Sequence, residues 1–210
     1  EASRYPTPAG VESAIRAAAK KAAATDPSLD INERIRLEYF NRFLSRVFFD
    51  GEASEWLLKG GTGMLARVPS SRATLDVDLY CRGFTLDEAL ADLRRLASLD
   101  LGDHFAFIYS RHRESVGGQA QPYVEGYAVT FEVLIGVTSR GAIKIDLATG
   151  AGITAEIEHL RSASVLDIPR LVSNEYRLYP LVDQIADKVC ATADSYNGRP
   201  SSREKDLVDL

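Results

Sequence analysis

Residues 59–79 read KGGTGMLARVPSSRATLDVDL. Two glycines and a threonine open the stretch, and two aspartates close it. Residues two apart on an extended strand share a face, so Asp76 and Asp78 would present both carboxylates to one side while Val77 and Leu79 point into a core. Two like charges that close are unfavourable unless a cation sits between them. Magnesium serves, because it takes one or two carboxylates together with substrate phosphates. Gly60 and Gly61 stand directly before a helix start, where backbone N–H groups form a phosphate cradle, and Thr62 can add a hydroxyl. Asp146 lies in the alternating AIKIDLA, with Lys144 and Asp146 facing away from Ile143 and Ile145. A two-metal phosphoryl-transfer site wants about three carboxylates from neighbouring strands, and Asp146 would be the third. Taken singly each feature has a plainer reading: a solvated D-x-D, a glycine turn without a ligand, a strand-end acid.

The elements that must position these groups follow from periodicity. Residues 11–25 read as an Ala-rich helix broken by Asp26-Pro27-Ser28. A second helix is expected from Ile31 to Phe49, with Leu37, Phe40, Leu44, Val47 and Phe48 as its apolar stripe. Trp56-Leu57-Leu58 reads as a short buried strand, Thr62 to Arg67 as a short helix, and Ala73 to Tyr80 as the strand that carries the aspartates. Thr85 and Glu88 have the spacing of a capping box for LDEALADLRRLASL. Strand-like stretches follow around His104–Arg113 and Tyr123–Val137, then AIKIDLA. Helices resume at Pro180, which suits a first turn, and again after Ser201-Ser202. The order predicts an α/β (α+β) protein with a small mixed sheet flanked by helices. Its segments are an N-terminal helical segment 1–50, a core 51–165 and a C-terminal helical segment 166–210.

The 210 residues are 45 % apolar and 26 % charged, as in an ordinary globular protein. A net charge of −5 argues against a whole-molecule field for polyanions but leaves room for a local basic face. Arg34, Arg36, Arg42 and Arg46 are one such face for RNA phosphate, a solvated helix face being the plainer alternative. Cys81 and Cys190 have no metal or disulfide spacing and read as reduced thiols, which suits a cytoplasmic location. His104, His112 and His159 have no ligand spacing and read as surface or satisfied residues. No apolar run is long enough to span a membrane, and EASRYPTPAG has no signal-peptide core. The sequence does not start with Met and KDLVDL reads as mid-helix, so it is expected to be trimmed at its start and to continue past residue 210.

Gly-Gly-Thr, thirteen spacer residues and D-x-D resemble the signature of DNA polymerase β-like nucleotidyltransferases. LEYFNRFLSRV, WLLKGGTGML, RATLDVDL, YPLVDQIADKVCA and SREKDLVDL, in that order, resemble the AbiEii/MenT-type toxins of abortive-infection toxin–antitoxin systems, over about residues 31–210. The resemblance implies a nucleotidyltransferase core and a Mg2+-dependent enzyme that moves nucleotide from an NTP to an acceptor such as the tRNA 3′ end. It also implies a cognate antitoxin. It makes Lys59 the lysine before the glycines, Asp76 and Asp78 the metal pair, Lys188 the catalytic lysine of the late helix and Asp206 the aspartate of the closing K-D motif. On that footing Asp76, Asp78 and Asp146 would hold metal, and Gly60, Gly61 and Thr62 the outer phosphates. Lys59, Arg72 and Lys188 would offset charge on the pyrophosphate, and Asp146 would activate an acceptor hydroxyl. A transferase acting on a small molecule or protein, and a non-catalytic binding module of the same fold, are the other two readings.

Overall fold

The computed structural model describes residues 5–68, 74–115, 126–150, 152–161, 166–193, 195–196 and 199–200. Helix α1 (Pro8–Thr25) starts on a Thr7 cap with Pro8 in its first turn, and α2 (Ile31–Val47) starts on an Asp30/Glu33 capping box. Strand β1 (Trp56–Lys59) runs straight into α3 (Gly60–Arg67). β2 (Val77–Arg82) leads to α4 (Leu86–Ala97), which opens on the expected Thr85/Glu88 box. Three longer strands follow, β3 (Phe105–Ser115), β4 (Gly126–Ile135) and β5 (Thr138–Gly150). Short β6 (Glu158–Leu160) and β7 (Tyr176–Leu178) precede α5 (Leu181–Ala193), and β8 (Ser195–Tyr196) pairs with β9 (Arg199–Pro200).

Seven strands form one mixed sheet in the order β3-β4-β5-β2-β1-β7-β6. Alternation separates its faces. Trp56, Leu58, Val77, Leu79, Val129, Phe131, Ile145 and Leu147 are buried in one cluster with Val11 and Ile15 of α1, Phe40, Phe43 and Leu44 of α2, and Leu93 of α4. Phe43 meets the rings of Phe107 and Phe131 at 5.2 Å each. The other face carries the odd partners, among them Lys59, Asp78, Asp146 and Thr130. β7 reaches this sheet from a segment read as helical. The aspartate strand starts at Val77, so Asp76 lies just ahead of it. The helix expected after Ser201-Ser202 lies outside the described residues.

Of the four α2 arginines, Arg36 is partly exposed, and the other three form neither an RNA face nor a solvated one. Arg34, Arg42 and Arg46 are 9 %, 1 % and 0 % exposed. Arg42 pairs with Glu38 at 2.7 Å and donates to Val172 O and Ser173 Oγ. Arg46 makes a two-pronged bond to Asp103 at 2.7 and 3.1 Å and also reaches Leu99 O and Phe105 O. Guanidinium forks suit such multiple acceptors. These arginines tie α2 to the loop before β3 and to the chain entering β7.

Candidate active site

The register of three strands assembles the site. β1 lies antiparallel to β2 with Lys59 opposite Asp78, and β2 lies parallel to β5 with Asp78 opposite Asp146. One row across the open face therefore reads Lys59, Asp78, Asp146. Asp76 approaches the same end of β2. Its carbonyl accepts from Thr62 Oγ1 at 2.8 Å, and Thr74 Oγ1 lies 3.1 Å from both its carbonyl and its carboxylate.

The glycine turn is shaped by this aspartate pair. Gly60 has φ +61°, and a Cβ there would lie 1.9 Å from Asp78 Oδ2, so the position needs glycine for both backbone and space. The Gly61 amide favours the charged Asp78 carboxylate. Of the phosphate donors expected from the sequence, the buried Thr62 hydroxyl donates to Asp76 O. Burial first, then the charges of Asp76 and Asp146, push the Asp78 carboxyl up to about 7, against the pull of Lys59 and the Gly61 amide.

Helix α5 closes one side. Gln184 Nε2 donates to Gly60 O at 3.2 Å. Asp187 Oδ2 lies 3.3 Å from Lys59 Nζ, and the same amine stands 4.9 Å from the centre of the Tyr179 ring. Tyr179 is also hydrogen-bonded through its side chain to Asp187. Arg67 of α3 donates to Tyr179 O at 3.0 Å. Lys59 is thereby turned toward α5 by one carboxylate and one ring. Lys188 follows Asp187 on the same helix and is half-buried. Arg72 and Asp206 lie outside the described residues. Gln184, Asp187 and Tyr179 were not singled out from sequence. The sequence carries no signal for them: α5 shows Leu181, Val182, Ile185 and Val189 to solvent at 42–57 % and buries Gln184, the reverse of what an apolar stripe predicts.

The donor set suits a hard cation. It is all oxygen, and Asp78 collects more negative charge than Lys59 balances. Among the described residues no three acidic, imidazole or thiol side chains converge closely enough to enclose a metal. Asp78 and Asp146 fit an ion that takes two carboxylates and completes its shell from substrate, which is magnesium chemistry.

A mixed sheet with helices on one face, and a lysine–aspartate–aspartate row under a glycine turn on the other, defines the class as a nucleotidyltransferase-type α/β protein. The chain belongs to the AbiEii nucleotidyl transferase toxin family of Type IV toxin–antitoxin systems, whose model matches residues 42–210. No curated protein matches it. Of solved structures, it is similar to JHP933 from Helicobacter pylori at 15 % identity and a TM-score of 0.48, over 84 % of this chain and 64 % of that one. A second H. pylori protein, described provisionally as a nucleotidyltransferase, aligns at 16 % identity and 0.46, over 80 % and 62 %. The chain thus spans under two thirds of the length of either.

Proposed function

We propose that this chain is a toxin that transfers a nucleotide from an NTP, with magnesium, to the 3′ end of tRNA, releasing pyrophosphate. The row Lys59–Asp78–Asp146 beside the Gly60 turn carries this reading. The acceptor hydroxyl attacks the α-phosphorus, a P–O bond forms, and the bond to the β-phosphate oxygen breaks. Asp146, exposed at the end of the row, takes the hydroxyl proton. Lys59, released from Asp187, offsets charge on the departing pyrophosphate, with Lys188 and Arg72 as further cations and Asp206 orienting Lys188. Magnesium held by Asp78 and Asp146, with Asp76 beside them, would supply charge neutralisation and alignment of the triphosphate. Family membership implies a cognate antitoxin. No helix among the described residues is long and apolar enough to cross a membrane, and a cytoplasmic site of action goes with a tRNA target.

The test is incubation with each α-labelled NTP, magnesium and total cellular RNA. Label is expected at a tRNA 3′ end and should be lost with EDTA. Label on protein or on a small molecule, with tRNA unmarked, overturns the acceptor assignment.

A further inference from the structure

The row that holds Lys59, Asp78 and Asp146 does not stop at Asp146. Across β5 and β4 Asp146 stands opposite Ala128, and across β4 and β3 Ala128 stands opposite Arg113. The adjacent row runs Lys144, Thr130, Arg111. Arg111, Arg113, Lys144 and Asp146 are all exposed. The floor between the cations is Ala128 and Thr130, small enough for a chain to lie against the sheet.

A bulge puts the arginines there. In FAFIYSRHRES, strict alternation would place Arg111 and Arg113 on the face of Phe105, Phe107 and Tyr109, against the helices. The register shifts between Tyr109 and Arg111, so Tyr109 pairs with Phe131 but Arg111 pairs with Thr130. One extra residue turns every later side chain over. His112 accordingly goes to the helical side, where its Nδ1 lies 2.6 Å from the Tyr109 hydroxyl and its ring 4.7 Å from that of Tyr127. Arg111 and Arg113 arrive on the face of the carboxylates.

Their lack of partners is the second observation. Arg34, Arg42, Arg46, Arg67, Arg82, Arg95 and Arg140 each pair with an acid, while among the described residues Arg16, Arg36, Arg94, Arg170 and Arg177 do not, so what sets the cations of this face apart is that three stand together, exposed, without one. Among the described residues Arg111, Arg113 and Lys144 have no such pair. Glu132, opposite Ala142 and Ile108, is the acid on this face beyond the Lys144 row. Three unpaired cations on one exposed face of a protein with net charge −5 are a local anion surface. With neighbouring strands about 4.8 Å apart, Arg113 stands about 10 Å from Asp146, a span suited to successive phosphates of one strand rather than to a single triphosphate.

We propose that the open face of β3, β4 and β5 is the track of the acceptor strand: Arg111, Arg113 and Lys144 hold backbone phosphates of a single-stranded RNA end whose terminal hydroxyl lies at Asp146. This rests on the transferase reading above and adds the acceptor's path to it.

The full chain carrying Arg111→Gln, Arg113→Gln and Lys144→Gln tests it, beside the charge-matched control Arg16→Gln/Lys20→Gln/Lys21→Gln on exposed positions of α1. Binding of a labelled single-stranded RNA ending in a free 3′ hydroxyl is followed from 50 to 200 mM salt, and NTP binding is followed separately. The triple variant is expected to bind RNA at least about tenfold more weakly, and its slope of log affinity against log salt should be shallower by about 2, or about 0.7 for each lost phosphate contact. NTP binding and the thermal midpoint should match those of the control. Should the triple variant bind and label RNA as the parent does, the track is wrong while the transferase reading stands. Should the parent label only protein or a small molecule and bind no RNA, both fall. Equal losses of NTP binding and of RNA binding would mark a damaged site and also overturn the track.

Discussion

At the scale of single residues, Asp78 is the most constrained group in the site. It fills the space a side chain at Gly60 would need, and Asp76 and Asp146 repel it. Such a group serves the ligand at some cost to the fold. Asp78→Asn is therefore expected to cut transfer by at least about 10²–10³-fold, the effect of losing a key electrostatic element, while the metal-free thermal midpoint holds or rises. A lower midpoint together with retained transfer would contradict the assignment. Gly60→Ala is expected to act through the fold as well. The left-handed φ and the approach to Asp78 at 1.9 Å leave no room for a methyl group. Strain of about 1–3 kcal/mol should appear as a lower midpoint in chemical denaturation, with transfer lost alongside. The Cys81 thiol takes no part in this chemistry: it is fully buried, and burial pushes it up to about 12.

At the scale of elements, α5 and α2 hold the site from two sides. The contact of α5 with β1 is one ion pair between Lys59 and Asp187, half-exposed and backed by Tyr179. An exposed pair adds little to stability, so its worth is in aiming Lys59. Asp187→Asn is expected to leave the denaturation midpoint within about 0.5 kcal/mol. It should lower kcat more than it raises KM for the NTP, because a mis-aimed cation matters most where charge develops. An equal effect in the Lys59→Gln background would show that Asp187 acts elsewhere. The α2 network is the opposite case. Arg46 and Asp103 are 0 % and 4 % exposed at their side chains, and removing one partner strands the other. Arg46→Ala should cost about 3–5 kcal/mol in denaturant unfolding, a large share of a typical domain's total. Arg46→Lys should restore little of it, since an ammonium cannot reproduce the fork.

At the scale of the molecule, the sheet has two distinct sides. One is sealed by α1, α2 and α4 over an apolar cluster that runs from Val11 to Leu178. The other is open from Asp78 outward to β3 and bears the polar rows. A molecule built this way is expected to keep its fold when the polar face changes. Expression of the parent is expected to arrest growth, and expression of Asp78→Asn to equal levels is expected not to. Arrest by both would place the toxicity outside this site.

Local pattern made much of this legible. The Thr85/Glu88 capping box, the buried strand Trp56-Leu57-Leu58 and the alternation in AIKIDLA depend on neighbours in sequence, and all stand in the structure, whereas of the D-x-D pair only Asp78 lies on the strand. The alternation also put Asp146 on a polar face, and the register sets it opposite Asp78. What only the tertiary structure decided was register, burial and partnership. Nothing near Arg42 or Arg46 in sequence says that Glu38, Ser173 and Asp103 will bury them. Nothing near Gly60 says that Asp78 will occupy the space of its missing side chain. Arg111 and Arg113 follow an unbroken alternation until one bulged residue turns them over. Asp187 reads as helix surface until α5 packs on the glycine turn. Periodicity fixes the face a side chain shares with its neighbours, and long-range pairing fixes what that face meets.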